Sequence, residues 1–354
     1  MIYLDNAATT PVTEPIIEVM LPYIKENYGN PSSAYSFGRK IREAVEISRK
    51  QIASSINARP EQIFFTSGAT ESNNWVISNF NCVLCSKVEH HSILNNPICQ
   101  KTEFADLANR IYKTRADLAT HMLVNNETGQ IFDIKPMAET AHKMEISFHT
   151  DATQAFGHIP IDVEKIGVDS LSLSGHKFHA PKGIGILYLK DPSKYKPLFY
   201  GGQQEKNLRA GTENVAGIAA IGKATELYNF SEKKDSLCRA VQYKFYSAFS
   251  YMSDVWFNTN INNSIPTTLN LAFKNVESES LMILLDSNGI CVSSGSACNS
   301  GSLEPSHVLK AMGTPDEYIY NSIRLSWNES ITNEQINYVV KCIKNNVKKI
   351  RGYV

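Results

Sequence analysis

The chain repeatedly runs from a short apolar stretch of β period into a cluster of small and polar residues. No other feature constrains the fold as strongly. The pattern occurs at 61–66, which leads into Ser67-Gly68-Ala69-Thr70, and at 145–150, which leads into Asp151-Ala152-Thr153-Gln154. It occurs again at 169–174, which leads into Gly175-His176-Lys177. Helical patterns alternate with these runs, at 38–56 (with Ile41, Val45, Ile52 and Ile56 on one stripe), 133–145 and 215–228. Strands alternating with helices bury a mainly parallel sheet, and ligands of such sheets bind beyond the carboxyl ends of the strands. The expectation is an α/β fold whose site lies along one edge of a mainly parallel central sheet.

Further strands are expected at 81–86, 121–124, 184–189, 267–273 and 289–292, and helices at 14–28, 231–251, 278–285 and 333–347. A length of 354 residues suits about two domains. Lys+Arg and Asp+Glu balance at 35 each, which removes any global electrostatic case for direct nucleic-acid binding or an anionic membrane surface. No stretch reaches the roughly 18 consecutive apolar residues of a membrane span, and no basic segment leads into an apolar one at the N-terminus. Seven cysteines, an odd number in a long chain, do not form a disulfide framework, so a cytoplasmic location is expected. Cys82-x-x-Cys85 has no second pair at metal-ligand spacing and reads as part of a buried strand, so no metal site is expected.

Four clusters carry chemistry. Lys177, behind Ser174 and His176 at a strand end, is placed to form an imine with a carbonyl compound, and pyridoxal phosphate is the commonest such partner. Gly68 to Thr70 open a helix directly after a strand, which is how phosphate sites are built. Asp151 and Gln154 close another strand, and His90 follows a third. Taken singly, each has a plainer reading: a lysine in a turn, a helix cap, a strand-end histidine pair with His91. Pyridoxal phosphate needs all of them at once: a lysine, a carboxylate for its pyridine nitrogen, a phosphate cup and a flat group against its ring.

The ordered motifs YLDNAATTP, GNPSS, FTSGATESNN, EHH, VNNETG, DATQ, SLSGHK with PKGIG, LRAGTENV, SSGSACNSGSLEPSHVL and SIRLS run through nearly the whole chain. Together they resemble the cysteine desulfurases, fold-type I pyridoxal-phosphate enzymes of the class V aminotransferase group. The resemblance implies a large α/β domain over 15–245 and a smaller α+β domain made of 1–14 and 246–354. It implies Lys177 as the Schiff-base lysine, Asp151 as partner of the pyridine nitrogen, Gln154 on the phenolic oxygen, and His90 stacked on the ring and shuttling protons. Ala69, Thr70, Ser174 and His176 would hold the phosphate, with Thr212 reaching in from the other subunit of a homodimer. Asn126 would lie near ring and substrate, and Arg324 with Asn30 would take the substrate carboxylate. Cys298, in a loop rich in Ser and Gly, would receive sulfur from L-cysteine as a persulfide and pass it to an acceptor protein. The form of that loop resembles the subgroup serving iron–sulfur cluster scaffolds and tRNA thiolation. The alternatives are a related enzyme (a selenocysteine lyase or an aminotransferase) and a non-catalytic scaffold keeping the fold.

Several positions depart from the pattern. Tyr35 stands where a histidine is usual, and Ala180 where a glycine precedes the PKG. The lead into LRAGT is poor in glycine at 203–207, the stretch 91–121 is short, as if a strand–helix piece had been trimmed, and Trp327-Asn328-Glu329 replaces a more basic pattern. None of these touches Lys177, Asp151 or Cys298.

Overall fold

A computed structural model describes residues 1–103, 106–294 and 305–352. The first eight strands are β1 (Ile2–Tyr3), β2 (Ile63–Thr66), β3 (Val83–Ser86), β4 (Cys99–Thr102), β5 (Leu118–Thr120), β6 (Ser147–Asp151), β7 (Ser170–Ser174) and β8 (Gly185–Leu189). The later ones are β9 (Val255–Phe257), β10 (Thr268–Phe273), β11 (Ile290–Cys291) and β12 (Ser322–Ser326). The chain divides into two compact units, one of Thr10–Leu123 with Asp133–Asn229, the other of Met1–Thr9, Val124–Phe132 and Phe230–Val354.

In the first of these units β2 to β8 form one sheet in the order β2-β8-β7-β6-β5-β3-β4. Strands β3 to β7 pair in parallel, while β8 runs antiparallel to both β7 and β2. The sheet is therefore mainly parallel, as expected. Strands β2, β3, β5, β7 and β8 are buried at every position, so their sequences read as unbroken runs rather than alternating ones. The parallel pairing sends the carboxyl ends of β2, β3, β5, β6 and β7 to one edge, and β8 starts from that same edge. There Gly185 lies so close to the turn after β2 that an added Cβ would sit 2.5 Å from Gly68 Cα. Outside the sheet, the Val215–Leu227 helix packs against both Glu14–Lys25 and Ser36–Ser55.

Two expectations need correction. The strand expected at 121–124 is instead β5, at Leu118–Thr120. Residues 118–125 are all buried, so hydrophobicity does not mark where the ladder stops. The backbone still follows β6 past its end, with His121 N–H donating to His149 O (3.3 Å) and Leu123 N–H to Asp151 O (3.1 Å). The short stretch 91–121 also keeps its strand and helix, as edge strand β4 and a Leu107–Ile111 helix of one turn.

The second unit is built on a three-stranded antiparallel sheet, β12-β10-β9, and on the parallel pair β1 with β11. The Asn333–Ile350 helix turns Ile336, Val339, Ile343 and Val347 inward, spaced by three or four residues, onto Phe245, Phe249, Leu325 and Trp327. A capping box at Thr332 and Gln335 starts that helix.

One buried ion pair secures the loop that departs from the family pattern. Arg49 and Glu205 have side chains each 4% exposed and meet through Nη2 and Oε1 at 2.7 Å. Arg49 Nη1 also donates to Glu205 Oε2 (2.9 Å), and the same oxygen accepts Phe65 N–H of β2 (2.8 Å). Glu205, Lys206 and Asn207 all adopt positive φ, so the polar anchor holds a run of backbone that would otherwise be strained. Glu205→Ala would leave Arg49 buried without its carboxylate. It should lower unfolding stability by about 3–5 kcal/mol in urea melts, and a loss within error of zero would refute this account.

Candidate active site

The β7 end sets the lysine. After Ser174 the chain makes one 3₁₀ turn over Gly175–Lys177, held by Gly175 N–H to Ile184 O (3.0 Å) and by Ala180 N–H to Gly175 O (3.0 Å). Thr10 clamps the turn, donating from N–H and Oγ1 to His176 O at 2.9 Å each, while its Oγ1 accepts His179 N–H at 2.7 Å. Gly175 cannot carry a side chain, because a Cβ would meet that of Ala180 at 2.9 Å. Ala180, which replaces the usual glycine, thus fills the space under the turn. Burial, reinforced by the charges of Lys177 and Lys182, pushes His176 down to about 4.

On β6, the residue opposite Ser172 of β7 is Asp151. It is 6% exposed, and its Oδ1 accepts Thr153 N–H (3.0 Å) while Oδ2 accepts from Asn73 Nδ2 (2.8 Å). Asn73 also meets His149 Nε2 (3.0 Å) and Ser92 Oγ (2.9 Å), and Ser92 meets His90 Nδ1 (2.9 Å). Two of the expected residues, Asp151 and His90, are therefore joined through side chains that the sequence reading did not single out. A signal for His149 was present, since it lies two positions before Asp151 and so shares its face of β6. Gln154 is buried in the turn after β6.

The third element is the Ala69–Ile77 helix. Its N-cap is Gly68, with no side-chain cap, so the first-turn N–H groups have no intrahelical acceptor. Glu71 in that turn accepts Ser67 N–H (2.9 Å) and pairs with Arg209 (Nε to Oε1, 2.9 Å), tying the LRAGT stretch to the start of this helix. The side-chain space above Gly68 holds only Ser174 Oγ within 4 Å, at 3.6 Å from an ideal Cβ. An uncapped helix start beside a serine hydroxyl is suited to a phosphate group. Thr70, Thr212 and Asn30 are exposed on their segments, and Asn30 Oδ1 accepts Ser32 N–H (2.9 Å).

Asn126 and Arg324 belong to the other unit. Arg324, 1% exposed, donates from Nη2 to Asp5 Oδ1 (2.8 Å) and from Nη1 to Asn126 O (2.7 Å). The neighbouring Asn125 shapes this turn, its Oδ1 accepting N–H groups of Glu127 (2.9 Å) and Thr128 (3.0 Å). Cys298 lies outside the described residues. Of the other six cysteines, Cys85 is buried in β3, its thiol pushed up by a hydrogen bond with Cys99 and by burial, and burial pushes Cys238 up to about 12. Cys85 therefore partners Cys99 across the sheet rather than Cys82, and among the described residues no group of potential metal ligands forms.

These residues fit pyridoxal phosphate. Asp151 presents a nearly buried carboxylate, the helix start at Gly68 is uncapped, and Lys177 stands in the turn that follows the strand beside that of Asp151. Further buried groups surround them. Glu89, fully buried, is pushed well above the usual carboxylate range by burial and by the charge of Asp151, against a hydrogen bond from Met122 N–H.

His121 and His149 are fully buried, and burial pushes both down to about 4, opposed at His149 by Asp151. Both should be neutral at pH 7, and imidazole NMR titration of the folded protein should place their midpoints near 4. Unfolded imidazoles take up protons near 6.5. Between these values the unfolded state binds more protons, so stability falls as pH drops through the window, by up to about 1.4 kcal/mol per pH unit for each histidine. Glu89 has the opposite sign, its contribution declining as pH rises above the unfolded value of 4.5. A midpoint near 6.5 for either histidine would overturn the assignment.

The family profile described as Aminotransferase class-V matches residues 2–339. The protein named cysteine desulfurase IscS of Methanosarcina thermophila is 40% identical over 376 aligned positions, covering 99% of this chain and 93% of its own length. The one of the same name from Dictyoglomus turgidum is 41% identical, covering 99% and 95%. Among solved structures, a NifS-like protein superposes with a TM-score of 0.88 at 30% identity over 100% of both chains. SspA, solved in complex with cysteine, gives 0.80 at 31% identity over 94% of this chain and 100% of its own. Sequence and fold agree: the chain belongs to the class V aminotransferase family, in its cysteine desulfurase group.

Proposed function

We propose that this protein removes sulfur from free L-cysteine, releases L-alanine, and hands the sulfur through Cys298 to an acceptor protein. The observation that carries the reading is the gathering of Asp151, Ser174, Lys177 and the uncapped helix start at Gly68 along one edge of the sheet. When bound, pyridoxal phosphate supplies an electron sink that stabilises negative charge at the substrate Cα.

The chain's own groups would do the rest. Lys177 would hold the cofactor through its ε-amine and, once freed, would move the proton at Cα. The Asp151 carboxylate would hold a proton on the ring nitrogen, and Gln154 would donate to the phenolic oxygen. Ala69, Thr70, Ser174 and His176 would bind the phosphate, completed by Thr212 from a second copy of the chain. His90 would stack on the ring and move protons, Asn126 would orient the substrate, and Arg324 with Asn30 would take its carboxylate. The Cys298 thiolate attacks the substrate sulfur: an S–S bond forms, the Cβ–S bond breaks with its electron pair left on Cβ, and a proton there completes the methyl group of alanine. Thiol plus cysteine thus gives persulfide plus alanine, with no external oxidant.

The long cysteine loop favours an acceptor in iron–sulfur cluster assembly or tRNA thiolation. Thiol chemistry of this kind suits a reducing cytoplasm, and among the described residues no helix is long and apolar enough to cross a membrane.

Incubation with L-cysteine and a thiol reductant should release alanine and sulfide in equal amounts. Keto acid in place of alanine would point to transamination instead. Cys298→Ala should abolish sulfur transfer while leaving the bound cofactor's visible colour. Lys177→Ala should remove that colour, and a wild-type protein that stays colourless after reconstitution would mean a scaffold rather than an enzyme.

A further inference from the structure

Asn73 is fully buried on the Ala69–Ile77 helix, and its carboxamide meets three polar side chains. Its orientation follows from donor and acceptor identity. The carboxylate of Asp151 can only accept, so the amide nitrogen faces Oδ2 (2.8 Å) with one hydrogen and gives the other to Ser92 Oγ (2.9 Å). The amide oxygen must then accept from His149 Nε2–H (3.0 Å). That places the proton of His149 on Nε2, and its Nδ1 accepts from Ser170 Oγ (2.8 Å). In the other direction, Ser92 Oγ already accepts from Asn73 and so gives its own hydrogen to His90 Nδ1 (2.9 Å). The same nitrogen accepts Ser92 N–H (3.1 Å), which places the proton of neutral His90 on Nε2.

We propose that Asn73 is a positioning residue that orients Asp151 and His90 together, through Ser92 and with buried His149 as its anchor. One carboxamide aims the carboxylate meant for the ring nitrogen and, through the Ser92 hydroxyl, helps seat the imidazole meant for proton transfer, whose tautomer the Ser92 N–H also holds. Each amide hydrogen has a single use, one on Asp151 and one on Ser92, so loss of the carboxamide reaches both partners. The roles of Asp151 and His90 in this inference rest on the function proposed above. Because His149 is buried and neutral, it holds the amide by a hydrogen bond without adding a charge beside Asp151.

The test uses holoenzyme carrying Asn73→Ala or Ser92→Ala. Asn73→Ala should lower kcat by about tenfold or more with little change in KM for cysteine, and should shift the pH midpoint of the bound cofactor's visible absorbance. It should also move the ¹⁵N imidazole resonances of His149 off the pattern of a proton on Nε2 and shift those of His90, whose proton the Ser92 N–H keeps on Nε2. Ser92→Ala should disturb the His90 resonance alone and leave the absorbance midpoint where it is. An Asn73→Ala protein with wild-type absorbance midpoint and wild-type His90 and His149 tautomers overturns the inference, whatever its rate. So does a Ser92→Ala protein with unchanged His90 ¹⁵N resonances, a milder change that keeps the test open where Asn73→Ala does not fold. The imidazole resonances are read with or without cofactor, so failure of the desulfurase reading, seen as no sulfide from the wild type, is told apart from failure of this one.

Discussion

The parallel pairing of β6 with β7 sets Asp151 opposite Ser172, and most of the site depends on that register. Slipping the pair by one residue would turn Asp151 toward the other face and separate it from the strand that carries Lys177. The register is held on both sides. β5 pairs with β6 in parallel, β7 pairs with β8 through five antiparallel positions, and the β7 and β8 strands are buried throughout. The close approach of Gly185 to Gly68 then brings the start of the Ala69–Ile77 helix to the same edge. An uncapped helix start, a carboxylate and a lysine are thereby delivered by three different connections of one sheet.

Behind that edge lies an unusual density of buried polar groups: Glu89, His121, His149, Asn73 and Asp151 are all at most 6% exposed. Burial drives the ionisable members apart in character. The two histidines are held neutral and Glu89 is biased toward its protonated form, which limits the number of charges in a low-dielectric region. The site is thus surrounded by donors and acceptors that orient without competing electrostatically with Asp151.

Much of this was legible in the sequence where a local rule applied. The amphipathic stripe at 38–56 gave its helix within a few residues, because burial on one face imposes the 3.6 period, and the helix expected at 333–347 is present too. The polar clusters after 61–66, 145–150 and 169–174 marked the site edge, because strand ends in parallel sheets meet there. Hydrophobicity failed at 118–125, where burial continues beyond the ladder, and at 91–121, where a four-residue strand and a single helical turn are too short to show a period. Glu205 is another such case. It sits in a stretch that reads as glycine-poor loop, and only its pairing with Arg49 and Phe65 N–H explains why that loop keeps three left-handed residues.

The sequence by itself determined the fold class, the family, and the identity of the residues expected to meet the cofactor, because motifs and periodicity are local properties of the chain. Tertiary structure alone decided how Asn73, Ser92 and His149 link Asp151 to His90, and that the stretch Val124–Phe132 joins the unit made from the chain ends. Hydrogen-bond partners separated by 19 to 78 positions, such as Asn73 with Ser92 and Asn73 with Asp151, have no spacing rule. Their geometry exists only once the sheet has fixed which strand ends stand side by side. The lysine could be found from its neighbours in sequence, but the orientation of its partners belongs to neighbours in space.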